Sequence, residues 1–152
     1  MGLLIFRFII IVSVLVTLLI IFTRKVTFSE LMVAKMAVLM ALAFDMIVCK
    51  QLHMYAYVDK NFNGINTFFA GLLIYPSISI MFTNFLPKKK NSVIIYIILW
   101  VMVLTTFELL VSKPYGVVIY PKWDILPWSG VVYVITFSWL TIYLKLINKY
   151  VK

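Results

Sequence analysis

The chain has 152 residues, 64% of them hydrophobic, and a mean hydropathy of +1.08; soluble domains are about 45–50% apolar, so most of this chain must be surrounded by lipid. Lys and Arg outnumber Asp and Glu by 14 to 5, which in so apolar a chain indicates membrane orientation and attraction to anionic headgroups, and excludes nucleic acid as the expected partner. One cysteine and one histidine exclude an internal disulfide and a multi-histidine metal cluster, and no cofactor is expected.

Apolar blocks of about 20 residues, the length that a helix needs to cross a bilayer, follow one another along the chain. The predicted spans are residues 3–22, 31–49, 68–86, 93–111 and 128–147. The connections between them are short and leave no segment for a soluble domain. We therefore predict an all-α membrane protein, a bundle of five transmembrane helices that forms one membrane-embedded domain over residues 1–152.

The basic residues between the spans predict the orientation of the bundle, because Lys and Arg concentrate on the cytoplasmic side. One side would carry eight of them: Arg24, Lys25, Lys88, Lys89, Lys90, Lys145, Lys149 and Lys152. The other side would carry five: Arg7, Lys50, Lys60, Lys113 and Lys122. We therefore predict that the N-terminus lies outside and the C-terminus in the cytoplasm.

Three charged residues fall inside the predicted spans at a common depth. Arg7, Asp45 and Glu108 each lie about four residues from the outer end of a span, or roughly 6 Å into the outer leaflet at 1.5 Å per residue. Charged residues in membrane spans usually face the bundle interior and are functional candidates. Thr105 and Ser112 are helical neighbours of Glu108, so we expect their hydroxyls to donate to its carboxylate.

Two interpretations of these charges stay open. In the first, Arg7, Asp45 and Glu108 form a buried network that holds three helices in register. In the second, they form a small outward-facing site that binds a cation, a proton or a polar solute, and their residue types identify no particular metal. The two interpretations differ in whether Arg7 neutralises the carboxylates.

The connection "KPYGVVIYPKWDILPW" between the last two predicted spans is too apolar to extend freely into water. Its "GVVIY" stretch is typical of a short strand. We predict that this loop covers the mouth of the bundle above Glu108, and the residues expected in this cap are Tyr120, Trp123, Asp124 and Trp128. The alternative is an aromatic anchor at the membrane interface.

The stretches "YPSISIMFTNFLP", "YIILWVMVLTTFELL" and "GVVIYPKWDILPWS" resemble a family of uncharacterised small multi-spanning membrane proteins from Bacillus- and Clostridium-like bacteria. The positions that carry the resemblance are Pro76, Trp100, Glu108, Tyr120, Trp123, Asp124 and Trp128. Asp45 is similar to an acidic or amide position in the second span of that family. The chain departs from the pattern in having Pro-Lys before Trp123, where the family tends to have Asn-Gly. The resemblance implies five spans and a bacterial plasma membrane, but no particular activity.

These observations give one leading hypothesis of function and two alternatives. The first is a membrane protein that binds a small cation, proton or polar solute, as a transport component that needs a homo-oligomer or a membrane partner. The second is a non-catalytic membrane subunit or assembly partner whose charges are structural. An intramembrane lipid-modifying enzyme is the third, because a paired Asp and Glu can do acid–base work; without a Ser/His/Asp set or a metal cluster, we expect no catalytic residues and no enzyme.

Overall fold

The computed structural model describes residues 1–58 and 64–150 of the chain. Five of its helices are long and apolar enough to cross a bilayer, and we number them as the first to fifth spans. They are Gly2–Thr23, Phe28–Gln51, Ile65–Asn84, Lys90–Ser112 and Ile125–Tyr150. The five apolar blocks predicted from the sequence are confirmed, with ends that differ by a few residues. The direction in which they cross a membrane stays a prediction, and Lys60 and Lys152 lie outside the described residues.

The second span begins before its apolar block because a polar motif starts the helix. The Thr27 hydroxyl accepts a hydrogen bond from the Glu30 backbone N–H at 3.3 Å. The Thr27 N–H donates in turn to the Glu30 carboxylate at 2.6 Å. This reciprocal capping box satisfies backbone donors that a helix start otherwise leaves unpaired.

The helix type changes along most of the spans. The α-helical segments are Gly2–Thr23, Phe28–Asp45, Ile65–Phe69, Tyr75–Asn84, Lys90–Phe107 and Gly130–Tyr150. Wider, π-type turns occupy Met46–Gln51, Ala70–Ile74, Glu108–Ser112 and Ile125–Ser129, the last of them interrupted by an extended Leu126. All four lie at the end of the bundle that also holds loops 52–58 and 113–124, which we term the tyrosine end. The opposite end, which holds residues 24–27, 85–89 and 145–150, is termed the lysine end.

The all-α prediction needs one correction, because the two tyrosine-end loops form a small antiparallel sheet. Strand β1 (Ala56–Tyr57) pairs with strand β2 (Val118–Ile119). The extended conformation predicted for "GVVIY" is therefore confirmed. Gly116 precedes β2 at φ +65°, a backbone conformation that glycine adopts without steric cost. The sheet forms because each loop supplies the backbone donors and acceptors that the other lacks.

The largest cluster of buried apolar side chains among the described residues lies toward the lysine end. The third span packs against the first, second and fifth, and the fifth also packs against the second and fourth. Phe82 and Phe137 are almost fully buried at the centre of these contacts, with ring centroids 4.6 Å apart. The remaining members of this core are Val33, Ala37, Leu140 and Leu144. This core holds the spans together at one end and leaves a cavity between them at the other.

Candidate tyrosine-lined binding site

Asp45 is the most deeply buried acidic group in the described structure. It ends the α-helical part of the second span, where the π-type turn begins, and is 0% exposed. The Tyr55 hydroxyl donates a hydrogen bond to its Oδ1. Its Oδ2 is buried and has no hydrogen-bond partner within residues 1–58 and 64–150. The chain therefore turns back after the second span, and this turn brings the Tyr55 hydroxyl to the Asp45 carboxylate.

Glu108 has a similar arrangement on the fourth span. The Tyr133 hydroxyl, from the fifth span, donates to its Oε1, while its Oε2 is buried and has no hydrogen-bond partner among the described residues. Tyr120 and Ser129 lie close to the same carboxylate, and the buried Tyr120 hydroxyl has no hydrogen-bond partner either. Among the described residues, each intramembrane carboxylate therefore accepts a hydrogen bond from one tyrosine and has a second, buried oxygen that accepts none.

The tyrosines around these carboxylates form one connected cluster. The ring centroids of Tyr55 and Tyr57 are 5.8 Å apart, and the hydroxyl oxygens of Tyr57 and Tyr75 are 2.6 Å apart. Burial is the main cause that raises the pKa of Tyr55, Tyr57 and Tyr120 above the ordinary tyrosine value, and the nearby carboxylates raise it further. These phenols are therefore neutral hydrogen-bond donors at physiological pH.

A cavity of about 340 Å³ lies among these groups and is lined by residues from all five spans. Small-molecule sites are typically about 300–1,000 Å³ and mostly apolar, with a few convergent polar groups. Glu108 is the acidic residue in its wall, whereas Asp45 lies behind the lining. Met40, Phe44, Phe107 and Ile135 line the cavity and are also between 36% and 62% exposed. The cavity therefore reaches the lipid-facing surface between the second span and the last two.

The loop between the fourth and fifth spans covers the cavity, but only part of the predicted cap contributes. Tyr120 and Trp123 line the cavity, and the Trp123 indole donates to the Ser129 hydroxyl at 3.0 Å. Asp124 and Trp128 are exposed and do not line it. Two backbone bonds fix the loop to its neighbour: Val58 N–H donates to Val117 at 3.0 Å and Lys122 N–H to Met54 at 3.2 Å.

The structure does not bring Arg7 to either carboxylate. Arg7 is exposed on the first span and, within residues 1–58 and 64–150, forms no ion pair with Asp45 or Glu108. The cavity side of this helix is occupied by Phe6 and Ile9. Successive residues of a helix point about 100° apart, so burying Phe6 turns Arg7 toward the lipid. The three-residue charge network considered from the sequence is thus not present.

The two hydroxyls expected beside Glu108 are buried but do not bind its carboxylate. Thr105 Oγ1 has no hydrogen-bond partner in the described parts of the chain. Ser112 lines the cavity without donating to Glu108. Both lie on the same helix as Glu108, whereas the donor that reaches its carboxylate, Tyr133, comes from another span.

Sequence reasoning missed most of the tyrosines. Tyr55 and Tyr57 are consistent with an aromatic belt at the membrane interface. Tyr75 and Tyr133 lie within apolar blocks, where a single tyrosine does not indicate a binding site. A usable signal was present for Tyr133, which lies toward the same end of the bundle as the two acids, whereas Tyr75 lies in the middle of the third span. No group of three or more His, Cys, Asp and Glu side chains converges among the described residues. The arrangement is suited to an organic ligand that meets one carboxylate and several aromatic faces.

No protein-family model matches this chain, and no curated protein or solved structure is significantly similar to it. The resemblance of its second half to small multi-spanning bacterial proteins stays a prediction. Its function is therefore inferred from the cavity alone.

Proposed function

We propose that this multi-pass membrane protein binds a small organic cation in the tyrosine-end cavity, with Glu108 as the counter-charge. The observation that supports this proposal is the Glu108 Oε2 atom, which is buried and unpartnered in a residue of the cavity wall. A buried acceptor left without a donor costs about 1–3 kcal/mol, and more for a charged group. A ligand that brings a positive charge or a donor to this oxygen removes that cost.

The composition of the wall favours an organic cation over a metal ion. Its aromatic members are Phe6, Phe44, Tyr55, Tyr57, Tyr75, Phe107, Tyr120, Trp123, Tyr133 and Phe137. A cation over an aromatic face gains about 0.5–2 kcal/mol. A hard metal ion such as Ca²⁺ requires about 6–8 oxygen ligands, and this wall offers one carboxylate and a few hydroxyls. The hypothesis of a small cation, proton or polar solute is thereby narrowed to an amine or quaternary ammonium with an apolar body.

The edge of the cavity supports entry from the membrane. Phe44 and Ile135 belong both to the lining and to the lipid-facing surface. A ligand with an apolar body partitions into the bilayer and reaches this edge by lateral diffusion. Its charged group then moves from the lipid headgroup region to Glu108, which lies at a similar depth.

The membrane, its sidedness and a transport role are parts of the same proposal. We place the protein in a bacterial plasma membrane with the lysine end in the cytoplasm, because basic residues concentrate at that end. The cavity would then open toward the outer leaflet. Phe137 lines the cavity on the lysine-end side, and Phe82 and Trp100 pack against its ring. Passage across the membrane would therefore need a second copy or a partner that separates this core.

Binding can be tested with two ligands of the same shape and different charge. The full chain in lipid nanodiscs is titrated with benzyltrimethylammonium and with its neutral carbon isostere, neopentylbenzene. We expect tighter binding of the cation. Glu108→Gln should weaken cation binding about 10- to 150-fold, the effect of losing one charge-assisted interaction of about 1.5–3 kcal/mol. Binding of the neutral isostere should change little.

The matched control is Asp124→Asn, which removes an acid that is exposed and outside the cavity lining. It should bind both ligands as the wild type does. Equal affinity of the wild type for the two ligands would contradict the proposal, as would a Glu108→Gln variant with unchanged cation affinity. Either result would favour the alternative of a non-catalytic subunit with structural carboxylates.

A further inference from the structure

The lysine end contains a second pocket, of about 390 Å³, which is separate from the tyrosine-lined cavity. It lies between the second, third and fifth spans and the loop after the third. Lys88 and Lys145 line it together with Asn148, and Leu86 and Leu144 supply apolar wall. Two ammonium groups from different parts of the chain thus share one pocket with an apolar side.

Glu30 also lines this pocket, but its carboxylate is already fully engaged. Its Oε2 accepts from the Thr27 N–H at 2.6 Å and from the Thr27 hydroxyl at 2.8 Å. Its Oε1 accepts from the Asn84 amide at 3.1 Å. The side chain is 7% exposed. Because both oxygens serve the start of the second span and the end of the third, Glu30 does not form an ion pair with either pocket lysine in the described structure.

The surroundings of the pocket add to its positive charge. Further basic residues at the same end are Arg24, Lys25, Lys89, Lys90 and Lys149. Glu30 is the one acidic residue at this end among the described positions. The ends of membrane spans lie at the level of lipid headgroups, and basic pockets between transmembrane helices are suited to anionic headgroups.

We propose that this pocket binds the phosphate group of an anionic phospholipid through Lys88 and Lys145. Asn148 donates from its side-chain amide, and the first part of an acyl chain lies against Leu86 and Leu144. The apolar wall distinguishes this ligand from free phosphate, which would use the two lysines alone. The site does not depend on the proposed function of the tyrosine-lined cavity.

The test uses the full chain in neutral detergent, with phosphatidylglycerol, phosphatidylcholine and inorganic phosphate as probes. Native mass spectrometry measures how many lipid molecules are retained and at what lipid concentration. We expect one tightly retained phosphatidylglycerol and much weaker retention of phosphatidylcholine. The double variant Lys88→Gln/Lys145→Gln should need about a tenfold higher phosphatidylglycerol concentration for half occupancy.

The matched control is Lys25→Gln/Lys89→Gln, which loses the same charge at the same end from residues outside the pocket lining. It should retain phosphatidylglycerol nearly as the wild type does. Equal weakening in the two double variants would show diffuse surface attraction and overturn the pocket, and so would unchanged retention in Lys88→Gln/Lys145→Gln. Inorganic phosphate that competes at the same concentration as the lipid would overturn the lipid assignment. Circular dichroism of each variant confirms that the helices are intact.

Discussion

Removing the Tyr55 hydroxyl tests whether Asp45 depends on that single donor. In Tyr55→Phe the ring remains, with its contacts to Tyr57 and Trp123 at centroid distances of 5.8 and 5.9 Å. Packing should therefore be preserved. Asp45, at 0% exposure, would lose its only hydrogen-bond partner in the part of the chain that the structure describes, since its Oδ2 has none there.

The expected cost follows from burial. Hydrogen bonds between transmembrane helices average only about 0.6 kcal/mol, because the unfolded chain in the membrane finds other partners. Leaving a buried acceptor without a donor costs about 1–3 kcal/mol, and the full burial of Asp45 puts the expected cost at the upper end of that range. We expect Tyr55→Phe to lower the free energy of unfolding by about 2–3 kcal/mol, a factor of about 30–150 in the equilibrium constant.

Equilibrium unfolding by dodecyl sulfate in mixed micelles measures this change. The double variant Asp45→Leu/Tyr55→Phe replaces both partners with apolar groups, so it should be more stable than Tyr55→Phe alone. Tyr115→Phe, at a residue that is 45% exposed, serves as the control and should lie within about 0.5 kcal/mol of wild type. The reasoning is refuted if Tyr55→Phe costs less than about 0.6 kcal/mol or if the double variant is the less stable of the two.

Three further predictions concern the helix starts and the buried phenols. A Cβ at Gly2 would clash with the Gly116 carbonyl oxygen, so Gly2→Ala should destabilise the protein by about 1–3 kcal/mol. Gly130→Ala, where no heavy atom lies within 4 Å, should be neutral or stabilising by up to about 1 kcal/mol; the opposite order in dodecyl-sulfate unfolding would contradict the packing. Thr27→Ala should cost about 1 kcal/mol through loss of the capping box with Glu30, and an unchanged unfolding curve would argue against that cap. In an alkaline titration followed by tyrosinate absorbance, the buried phenols should not ionise until the protein unfolds. Because the pKa of these phenols is raised in the folded state, their contribution to the free energy of unfolding is complete below pH 10. It is lost as the pH rises above that value. Ionisation of all nine tyrosines near pH 10 with the helices intact would contradict this. The phenols concerned are Tyr55, Tyr57 and Tyr120.

The two ends of the bundle differ in packing and in backbone regularity. Regular α-helix and a tight aromatic core occupy the lysine-end half, whereas the π-type turns collect at the tyrosine end. Such turns are rare in proteins, and those that do occur are often found at functional sites. Here one of them begins at Glu108 and another directly follows Asp45. Each carboxylate that lacks a second partner therefore lies where the helix departs from its regular form.

The sequence by itself determined the five spans, the short connections and the extended "GVVIY" segment. The length of an apolar block and the residues that favour a turn are local properties, so they do not depend on how the helices are arranged. The sequence also selected Asp45 and Glu108, because an acid within an apolar block is costly wherever the block lies. The helix rise alone also predicts a common depth for the two acids, which stays a prediction.

Only the tertiary structure decided which partners those acids meet. The depth of a residue along a helix does not determine the direction in which its side chain points around that helix. The sequence therefore could not predict that Arg7 faces outward while its neighbour Phe6 lines the cavity. The Tyr133 donor to Glu108 lies 25 residues away on another span, and no local pattern connects the two. The cavity itself is formed by residues from all five spans together. It is a property of how whole helices pack, which no single stretch of sequence encodes.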